Sequence, residues 1–494
     1  MSEAVAAAPA AAESRIEPHV WRIASVVVLG SIMSILDTTI VNVALETLGR
    51  DLNATLSEIQ WVLTGYMLSL GAVIPVTGWA ARRFGARNVY VLSLVIFTAS
   101  SVLCGLAGST NQLILFRVLQ GIGGGMILPV GQMMMAHAAG PQRMGRIMGI
   151  TAIPVMLAPI IGPTLGGLIV DNMSWRWIFF VNVPIGAIAL VAAWRILPRD
   201  KHGGHEKLDV IGLFLLAVGV PAVTYGLAEI GATGHFTTPR VVVPIVVGAV
   251  LIVTFAFHAL RAARPLLDLR LYRRATYSSA SIAMFCLAAA LFGGMILIPL
   301  YWQQIRAESA LHTGLLMAPM GLGMILVLPL VGRLADRVGG GPLALVGVIV
   351  TTFATIPFGF IGAHTPIAYL CGAMLVRGMG VGLAFMPAMT AAFASLQRSE
   401  LPDATPQMNV LQRIGGSIGT AVLAVVLQRS LAGATSLDDA AAAYGTAFWW
   451  SVAITAAAIV PCIILVRAER RARRAAAADA TPLPLSEQLA ESAA

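Results

Sequence analysis

The chain has 494 residues, of which 58% are hydrophobic and only 11% are charged, and its mean hydropathy is +0.84. This composition excludes an ordinary soluble domain and indicates an all-α membrane protein. The net charge of +9 lies mainly in short segments between apolar runs and in "RAERRARR" at 467–474. It therefore predicts topology and contact with the lipid bilayer, and it does not indicate nucleic-acid binding.

Apolar runs of about 20 residues or more recur from Val20 almost to the C-terminus. They predict fourteen transmembrane helices. In chain order the predicted spans are 20–46, 57–79, 87–108, 111–137, 144–170, 175–197, 208–229, 240–262, 274–303, 312–333, 341–362, 366–395, 405–430 and 442–467. The seventh and eighth runs have flanks rich in Gly and Pro, which leaves a count of twelve open.

The basic residues are distributed unevenly over the loops that these spans define. Most of the 32 Lys and Arg fall in the N-terminal segment, in the even-numbered loops or in the C-terminal segment. The positive-inside rule therefore predicts that both termini are cytoplasmic. Residues 1–19 lack the basic start and the isolated apolar core of a cleaved signal peptide, so the first helix is expected to stay attached.

The sequence lacks the usual patterns of enzymes. The glycine clusters "GIGGG" at 121–125 and "GMGVG" at 378–382 do not have the G-x-G-x-x-G spacing of a dinucleotide loop, and no Walker sequence supplies ATP chemistry. The four Cys and eight His show no metal-ligand spacing. We therefore expect no catalytic residue, no cofactor and no metal.

Two pairs of similar segments indicate an internal duplication. "GWAARRFGAR" at 78–87 resembles "GRLADRVGGG" at 332–341, and "FRVLQGIGGGMILP" at 116–129 resembles "LVRGMGVGLAFMP" at 375–387. Gly78 and Gly332 are 254 residues apart, and Arg117 and Arg377 are 260 apart. Two pseudo-symmetric six-helix bundles with two inserted helices explain these offsets.

The predicted domain division follows from this duplication. It comprises a disordered cytoplasmic N-terminus at 1–19, an N-terminal bundle at 20–200, two inserted helices at 201–270, a C-terminal bundle at 271–468 and a disordered cytoplasmic tail at 469–494.

The motifs resemble those of the major facilitator superfamily (MFS), and within it the fourteen-helix drug:proton antiporters of the EmrB/QacA type. "GRLADRVGG" at 332–340 is similar to the superfamily's cytoplasmic G-x-L-A-D-R-x-G motif, and "PIIGPTLGG" at 159–167 resembles the fifth-helix motif associated with antiporters. "LDTTIVNVAL" at 36–45, "WRWIFFVNVPIG" at 175–186 and "LQRIGGSIGTA" at 411–421 resemble segments of this branch. The resemblance covers nearly the whole chain and implies the MFS fold.

The cytoplasmic motif occurs in both halves and implies a gate. Its residues are Gly78, Arg82, Arg83 and Gly85 in the first copy and Gly332, Asp336, Arg337 and Gly339 in the second copy. Arg82 stands where the first copy would carry its Asp, which leaves Asp336 as the better candidate for a latch. Asp336 would cap a helix terminus or pair with an Arg in one conformation only.

Asp37 lies deep in the first predicted helix, about 14 Å below its outer end at 1.5 Å per residue. A charge at this depth is costly, so Asp37 should face a cavity or a partner. Desolvation disfavours the charged form, which would let Asp37 exchange a proton for a cation. The alternative is an Asp held permanently in a hydrogen-bond network between helices. The predicted lining of a substrate cavity consists of Asp37, its face neighbours and one acid nearer the outer surface: Ser34, Asp37, Thr38, Val41, Asn42 and Glu46.

Three arginines fall within predicted spans. Arg117 lies near the level of Asp37, so it could hold the carboxylate ionised until a gating motion separates the two. Its alternative role is to bind backbone carbonyls of the glycine-rich stretch. Arg377 is its pseudo-symmetric counterpart. Arg377 and Arg413 are predicted to line the substrate cavity as well, and the alternative for Arg413 is that it extends to a nearby interface.

The fifth predicted helix has a face with almost no side chains and several prolines. The motif residues are Pro154, Ala158, Pro159, Gly162, Pro163, Gly166 and Gly167. Another backbone can approach such a face closely, which suits a rocking contact between the bundles or simple packing.

Because no ATP site is found, we interpret the chain as an exporter driven by an ion gradient. The predicted function is multidrug efflux, in which hydrophobic or cationic small molecules are exchanged for protons by alternating access. The alternatives are an exporter of a specific endogenous metabolite or antibiotic, a proton-coupled uptake symporter, and a membrane receptor or scaffold that transports nothing. We expect a monomer in a bacterial plasma (inner) membrane, and a periplasmic adaptor is a further partner that the sequence leaves open.

Overall fold

The computed structural model describes residues 17–139, 161–162, 165–198, 207–233 and 237–479, and every regular element in these ranges is helical. The helices of the first half are α1 (Pro18–Val43), α2 (Leu45–Asp51), α3 (Leu56–Val73), α4 (Thr77–Phe84), α5 (Ala86–Leu106), α6 (Thr110–Ala139), α7 (Trp177–Phe180) and α8 (Asn182–Ile196). They are followed by α9 (Val210–Thr233) and α10 (Pro239–Arg261). The second half contains α11 (Ala275–Leu300), α12 (Ala310–Val338), α13 (Gly340–Gly359), α14 (Ile367–Ala394), α15 (Leu401–Leu431), α16 (Leu437–Ala457) and α17 (Ile459–Asp479).

Local sequence signals set several helix starts. Thr55 and Glu58 form a capping box at the start of α3, and Ser436 and Asp439 form one at the start of α16. Pro239 occupies the first turn of α10, where its missing N–H leaves no hydrogen bond unmade. Helices that begin in this way need no tertiary contact to define their first residue.

Twelve helical segments among the described residues are long and apolar enough to cross a membrane. The seventh and eighth predicted helices are confirmed, as α9 and α10. The predicted span 312–333 coincides with α12, whose apolar part, His312–Leu328, is shorter than these twelve. The predicted span 144–170 lies outside the described residues except for 161–162 and 165–170.

Two predicted boundaries are wrong. The first helix was predicted to reach residue 46, but α1 ends at Val43, where the Ala44 N–H bonds back to Val41 O and α2 begins anew. The tail was predicted to be disordered from 469, but α17 continues to Asp479, because its Ala- and Arg-rich sequence favours a helix. Residues 1–16 and 480–494 lie outside the described residues.

The two copies of the cytoplasmic motif have the same backbone geometry. Gly85 has φ 86° and Gly339 has φ 104°, a region that glycine enters without a steric cost. The helix before each glycine ends one residue earlier, and the next helix starts one residue later. The offset of 254 residues seen in the sequence therefore relates equivalent turns of the two halves.

The apolar cores of the two halves merge at one face of the molecule. There, a single cluster contains side chains of both halves, among them Ile23, Ala80, Ala404 and Leu465. At the opposite face the described residues form separate clusters, one around Ile40 and Phe179 in the first half and one around Trp302 and Phe448 in the second half. The merged face carries Arg82 and is the one that the charge distribution predicts to be cytoplasmic. The halves are thus closed against each other at the predicted cytoplasmic face.

The helix pair α9–α10 covers the seam between the halves. α9 packs against α3 of the first half and α15 of the second half, whereas α10 packs mainly on α9. Trp61 of α3 stacks on Tyr225 of α9 with ring centroids 5.8 Å apart. The Asp209 carboxylate is hydrogen-bonded to His258 at 2.9 Å and accepts from the Leu266 N–H at 3.0 Å, which joins the ends of the pair.

We predict that Gly419→Ala destabilises the protein. A Cβ at Gly419 on α15 would lie 2.0 Å from the Ala289 carbonyl oxygen of α11, a backbone atom that cannot move aside. The expected cost is about 1–3 kcal/mol, seen as a lower unfolding temperature in detergent. Gly372→Ala is the control, because a Cβ there meets nothing within 4 Å and alanine favours the helix. Equal unfolding temperatures for the two variants would contradict the close α11–α15 packing.

Candidate functional site

Asp37 and Arg117 form a fully buried ion pair inside the first half. Arg117 Nη1, on α6, donates to Asp37 Oδ2, on α1, at 2.5 Å, and both side chains are 0% exposed. Arg117 Nε also donates to the Val62 carbonyl oxygen of α3 at 3.2 Å. The sequence prediction that these two residues lie at the same depth agrees with this contact. Arg117 also donates to a backbone carbonyl, but Val62 lies on α3 and not in the glycine-rich stretch that the alternative role concerned.

Two amide side chains complete the shell of the Asp37 carboxylate. Gln120 Nε2 and Asn182 Nδ2 donate to Asp37 Oδ1 at 3.0 and 2.9 Å, and both residues are buried. Neither residue was predicted as part of the site. Gln120 lies one helical turn after Arg117 and so shares its face, which is a usable sequence signal. Asn182 lies in the predicted sixth span, where a polar residue within an apolar run is the only hint.

A second layer holds these groups in place. Ser101 Oγ accepts from both Gln120 and Asn182, at 3.2 and 3.1 Å, and donates to the Phe179 carbonyl at 2.9 Å. The Arg117 guanidinium lies over the Tyr66 ring, 4.0 Å from its centroid. Six helices, α1, α3, α5, α6, α7 and α8, therefore contribute to one buried polar network.

The residues predicted to line a substrate cavity separate in this conformation. Asp37 and Val41 are closed off from solvent, and Ser34 is buried beside Tyr66, with its Oγ 3.4 Å from the Tyr66 hydroxyl. Thr38 is half-buried, and Asn42 is exposed and donates to the Thr38 carbonyl at 3.1 Å. Asp37 thus faces a partner and not an open space. Glu46 lies on α2, and its side chain is outside the described part of the structure.

The two other predicted arginines have different surroundings. Arg377 is buried, and its Nη2 donates to the Ala290 carbonyl oxygen at 3.2 Å. Arg413 lies in the seam between the halves, where its Nη2 donates to the Met67 carbonyl oxygen of α3 at 3.0 Å. The structure therefore brings Arg117 to Asp37, and it brings neither Arg377 nor Arg413 into that network.

One face of α15 makes the contact with the first half at the predicted cytoplasmic face. Asp403 pairs with Arg82 of α4 at 3.0 Å, and Asn409 Nδ2 donates to Gln132 Oε1 of α6 at 2.9 Å. A Cβ on Gly78 would lie 2.0 Å from the Pro402 carbonyl oxygen, so only glycine fits there. The Arg82 and Asp403 side chains are 21% and 19% exposed, so their pair is partly shielded from solvent.

This contact changes the interpretation of the gate motif. The sequence favoured the second copy because Arg82 replaces the usual Asp, yet in the structure Arg82 and Gly78 touch the opposite half. The acid of the pair is Asp403, which the sequence prediction missed because it lies just before the predicted span 405–430. In the second copy, Gly339 forms the turn. The side chains of Asp336 and Arg337 and the surroundings of Gly332 lie outside the described part of the structure. Arg83 is half-buried next to Arg82.

The described part of the fifth-helix motif packs within the first half. A Cβ on Gly162 would lie 2.0 Å from Thr39 Oγ1, and one on Gly166 would lie 3.1 Å from the Ile40 carbonyl oxygen, both on α1. A Cβ on Gly167 would meet nothing within 4 Å. These two close approaches are to the helix that carries Asp37 and not to the opposite bundle, so over these residues they fit the packing alternative and not the rocking contact. Pro154, Ala158, Pro159 and Pro163 lie outside the described residues.

Comparison with known proteins gives a consistent result. A family model described as Major Facilitator Superfamily matches residues 27–420. A "Multidrug resistance protein B homolog" of Mycobacterium tuberculosis is 39% identical over 416 residues, which cover 84% of this chain and 77% of the relative. The "Multidrug export protein EmrB" of Haemophilus influenzae is 32% identical over 397 residues, 80% of this chain and 78% of the relative. The solved structure of the proton:xylose symporter XylE matches with a TM-score of 0.59 at 14% identity, over 89% of this chain and 96% of that chain, which shows a shared fold.

We predict that Asp37→Asn lowers stability because it leaves Arg117 buried without a counter-charge. Breaking such a pair costs about 3–5 kcal/mol. The double variant Asp37→Asn/Arg117→Met should regain part of the lost unfolding temperature, since it removes the orphaned charge as well. An unfolding temperature of Asp37→Asn equal to that of the wild type would contradict the buried pair.

We predict that the Arg82–Asp403 pair holds the predicted cytoplasmic face closed. Asn409→Cys provides a reporter thiol in the seam. In this background, Arg82→Asp or Asp403→Arg should raise the rate of maleimide labelling of the thiol by roughly fivefold, which corresponds to a loss of about 1 kcal/mol in the free energy of closing. The swap Arg82→Asp/Asp403→Arg should restore slow labelling. If the swap labels as fast as the single reversals, the pair does not close the face.

Proposed function

The chain belongs to the Major Facilitator Superfamily, and we propose that it is a proton-coupled multidrug exporter that works by alternating access. It is a multi-pass membrane protein and a transporter, not an enzyme. The two named multidrug relatives support export of drug-like molecules. The absence of a Walker sequence means that an ion gradient, and not ATP, would supply the energy.

We propose fourteen transmembrane helices arranged as bundles at 20–200 and 271–468, with inserted helices at 201–270. The support is the set of twelve apolar helical segments, together with α12 and the apolar run at 144–170. An even number of spans places both termini on the same side of the membrane. The charge distribution predicts that this side is the cytoplasm of a bacterial cell.

The single observation that carries the proposal is the buried Asp37 carboxylate with its three donors. In the described conformation Arg117, Gln120 and Asn182 stabilise the ionised form, since a carboxylate accepts all three hydrogen bonds. When Arg117 moves away, the charged form loses its counter-ion in a medium of low polarity and takes up a proton. The proton and the conformation are therefore linked through one ion pair.

A short path joins the seam between the halves to this pair. Arg413 of the second half donates to the Met67 carbonyl, and the neighbouring Tyr66 ring lies under the Arg117 guanidinium. Separation of the halves at the predicted cytoplasmic face would pull Arg413 from α3 and shift Tyr66. Proton uptake at Asp37 and closure of the gate would then exclude each other, which is the condition for tight coupling.

The remaining parts of the proposal concern cargo, partners and energy. The cargo would be hydrophobic or cationic small molecules, exchanged for protons across a bacterial inner membrane by a monomer, with or without a periplasmic adaptor. A membrane potential supplies about 2.3 kcal/mol per charge for each 100 mV. One proton at Asp37 would therefore suffice to drive a concentration gradient of such a molecule.

Proteoliposomes test this function. We expect the wild type to accumulate a fluorescent hydrophobic dye against its gradient when a proton gradient is imposed, and dye addition to drive protons in the opposite direction. Assayed below its lowered unfolding temperature, Asp37→Asn should reduce both fluxes to the level of protein-free vesicles, because its side chain does not exchange a proton. Asp438→Asn, at an exposed acid of α16, is the control and should transport as the wild type does.

Two results would overturn the proposal. Protons moving in the same direction as the dye would identify an uptake symporter. Undiminished gradient-driven transport by Asp37→Asn would remove Asp37 from the coupling step.

A further inference from the structure

Arg377 is a buried guanidinium with no carboxylate partner in the part of the chain that the structure describes. It lies on α14, is 1% exposed, and uses only Nη2, which donates to the Ala290 carbonyl of α11. Its Nε and Nη1 atoms are buried and have no hydrogen-bond partner among the described residues. An arginine offers five N–H donors and keeps its charge, so most of its binding capacity is unused.

The equivalent arginine of the first half shows what is missing. Arg117 reaches a carboxylate on α1, and α11 is the corresponding helix of the second half. The residue 257 positions after Asp37 is Gly294, within the range of offsets that relates the two halves. A Cβ on Gly294 would lie 2.4 Å from Arg377 Nη2, so the guanidinium lies where a side chain would begin. Where the first half has an acid beside its arginine, the second half has a glycine.

The surroundings of Arg377 are apolar and adaptable. The cluster of this region contains the buried residues Met317, Met320, Met324 and Met374. Met374 is one turn before Arg377 on α14, and Gly378 lets α14 approach the Met320 backbone of α12 closely. Methionine side chains adjust to apolar bodies of different shape. A cationic group within such a cluster would select a molecule with one negative charge on an apolar body.

We propose that Arg377 binds a carboxylate or sulfonate group of the transported molecule, so that amphiphilic anions are among the cargo. This inference rests on the proposed exporter function and adds a charge class to it. The unpartnered N–H groups of Nε and Nη1 lie on different edges of the guanidinium, and each can donate a charge-assisted hydrogen bond to such an anion. The charges of Asp37 and Arg117 already neutralise each other, so this inference assigns the cargo's charged group to the second half and not to the proton site.

The charge of the cargo has a measurable consequence for transport. Exchange of one entering proton for one leaving monoanion moves two positive charges inward, whereas exchange for one monocation moves none. An inside-negative potential should therefore accelerate export of an anion and leave one-for-one export of a cation unchanged.

The test uses two permanently charged probes that share one ring system, naphthalene-2-sulfonate and 2-naphthyltrimethylammonium. Binding to the purified full-length chain is measured by probe fluorescence. We expect Arg377→Gln to weaken sulfonate binding by about tenfold or more, the usual effect of losing a charged hydrogen-bond donor, and to change ammonium binding little. Arg377→Lys should retain part of the sulfonate affinity, because it keeps the charge. Arg240→Gln, at an exposed arginine of α10, is the control and should bind as the wild type does.

Transport by the wild type supplies a readout that does not depend on whether Arg377→Gln folds. In proteoliposomes with a proton gradient, the rate of sulfonate export should rise when potassium and valinomycin set an inside-negative potential. Wild type that exports the ammonium probe but neither binds nor exports the sulfonate would overturn this inference and leave the exporter function standing. Wild type that binds the sulfonate through Arg377 but moves neither probe against its gradient would overturn the exporter function. Equal weakening of both probes in Arg377→Gln would also overturn the inference.

Discussion

The ion pair between Asp37 and Arg117 is the constraint on which the first half of the molecule depends. Burial of two opposite charges at the depth of the hydrocarbon is tolerated only when they are in contact and make further hydrogen bonds with their surroundings. The pair and its amide shell therefore determine how α1, α6 and α8 must meet. Ser101 and Tyr66 extend the same requirement to α5 and α3. A motion that disturbs any of these helices changes the environment of the carboxylate, which makes this network sensitive to conformation.

The two halves share a fold but not a charge distribution. The motif turns at Gly85 and Gly339 and the arginines at 117 and 377 follow the same repeat. In the first half the arginine is neutralised by Asp37, whereas in the second half a glycine lies beside the arginine, and no described residue supplies a counter-charge. A duplicated scaffold can in this way assign ion binding to one half and ligand binding to the other, because a single substitution at the helix contact decides where the counter-charge comes from.

The contact between the halves is concentrated on one helix. α15 contributes Asp403, Asn409 and Arg413, which lie along one side of the helix. Their partners in the first half are side chains of α4 and α6 and a backbone carbonyl of α3. Polar contacts of this kind suit a surface that must open, since each is worth little alone and water can replace it near the membrane surface. α9 lies against both sides of this seam and must slide on α3 or α15 whenever the seam opens.

The sequence alone predicted most of the helices that the structure describes, the repeat, and the level of the charged residues along their helices, because each of these depends on local composition and spacing. Long apolar runs predict spans, and rise per residue places Asp37 and Arg117 at one level without any knowledge of packing. The spacing of residues along a helix does not show which helix faces pack against each other. The sequence places Gln120 on the face of Arg117, but its bond to Asp37 was seen only when the helices were assembled, as were the contacts of Asn182 and Asp403. Gly294 likewise became relevant only through its contact with Arg377. The tertiary structure decided these pairings, because a hydrogen bond between side chains 80 or more residues apart depends on how the two helices are rotated and where they cross. The rotation and crossing of each helix are set by all of its packing contacts together.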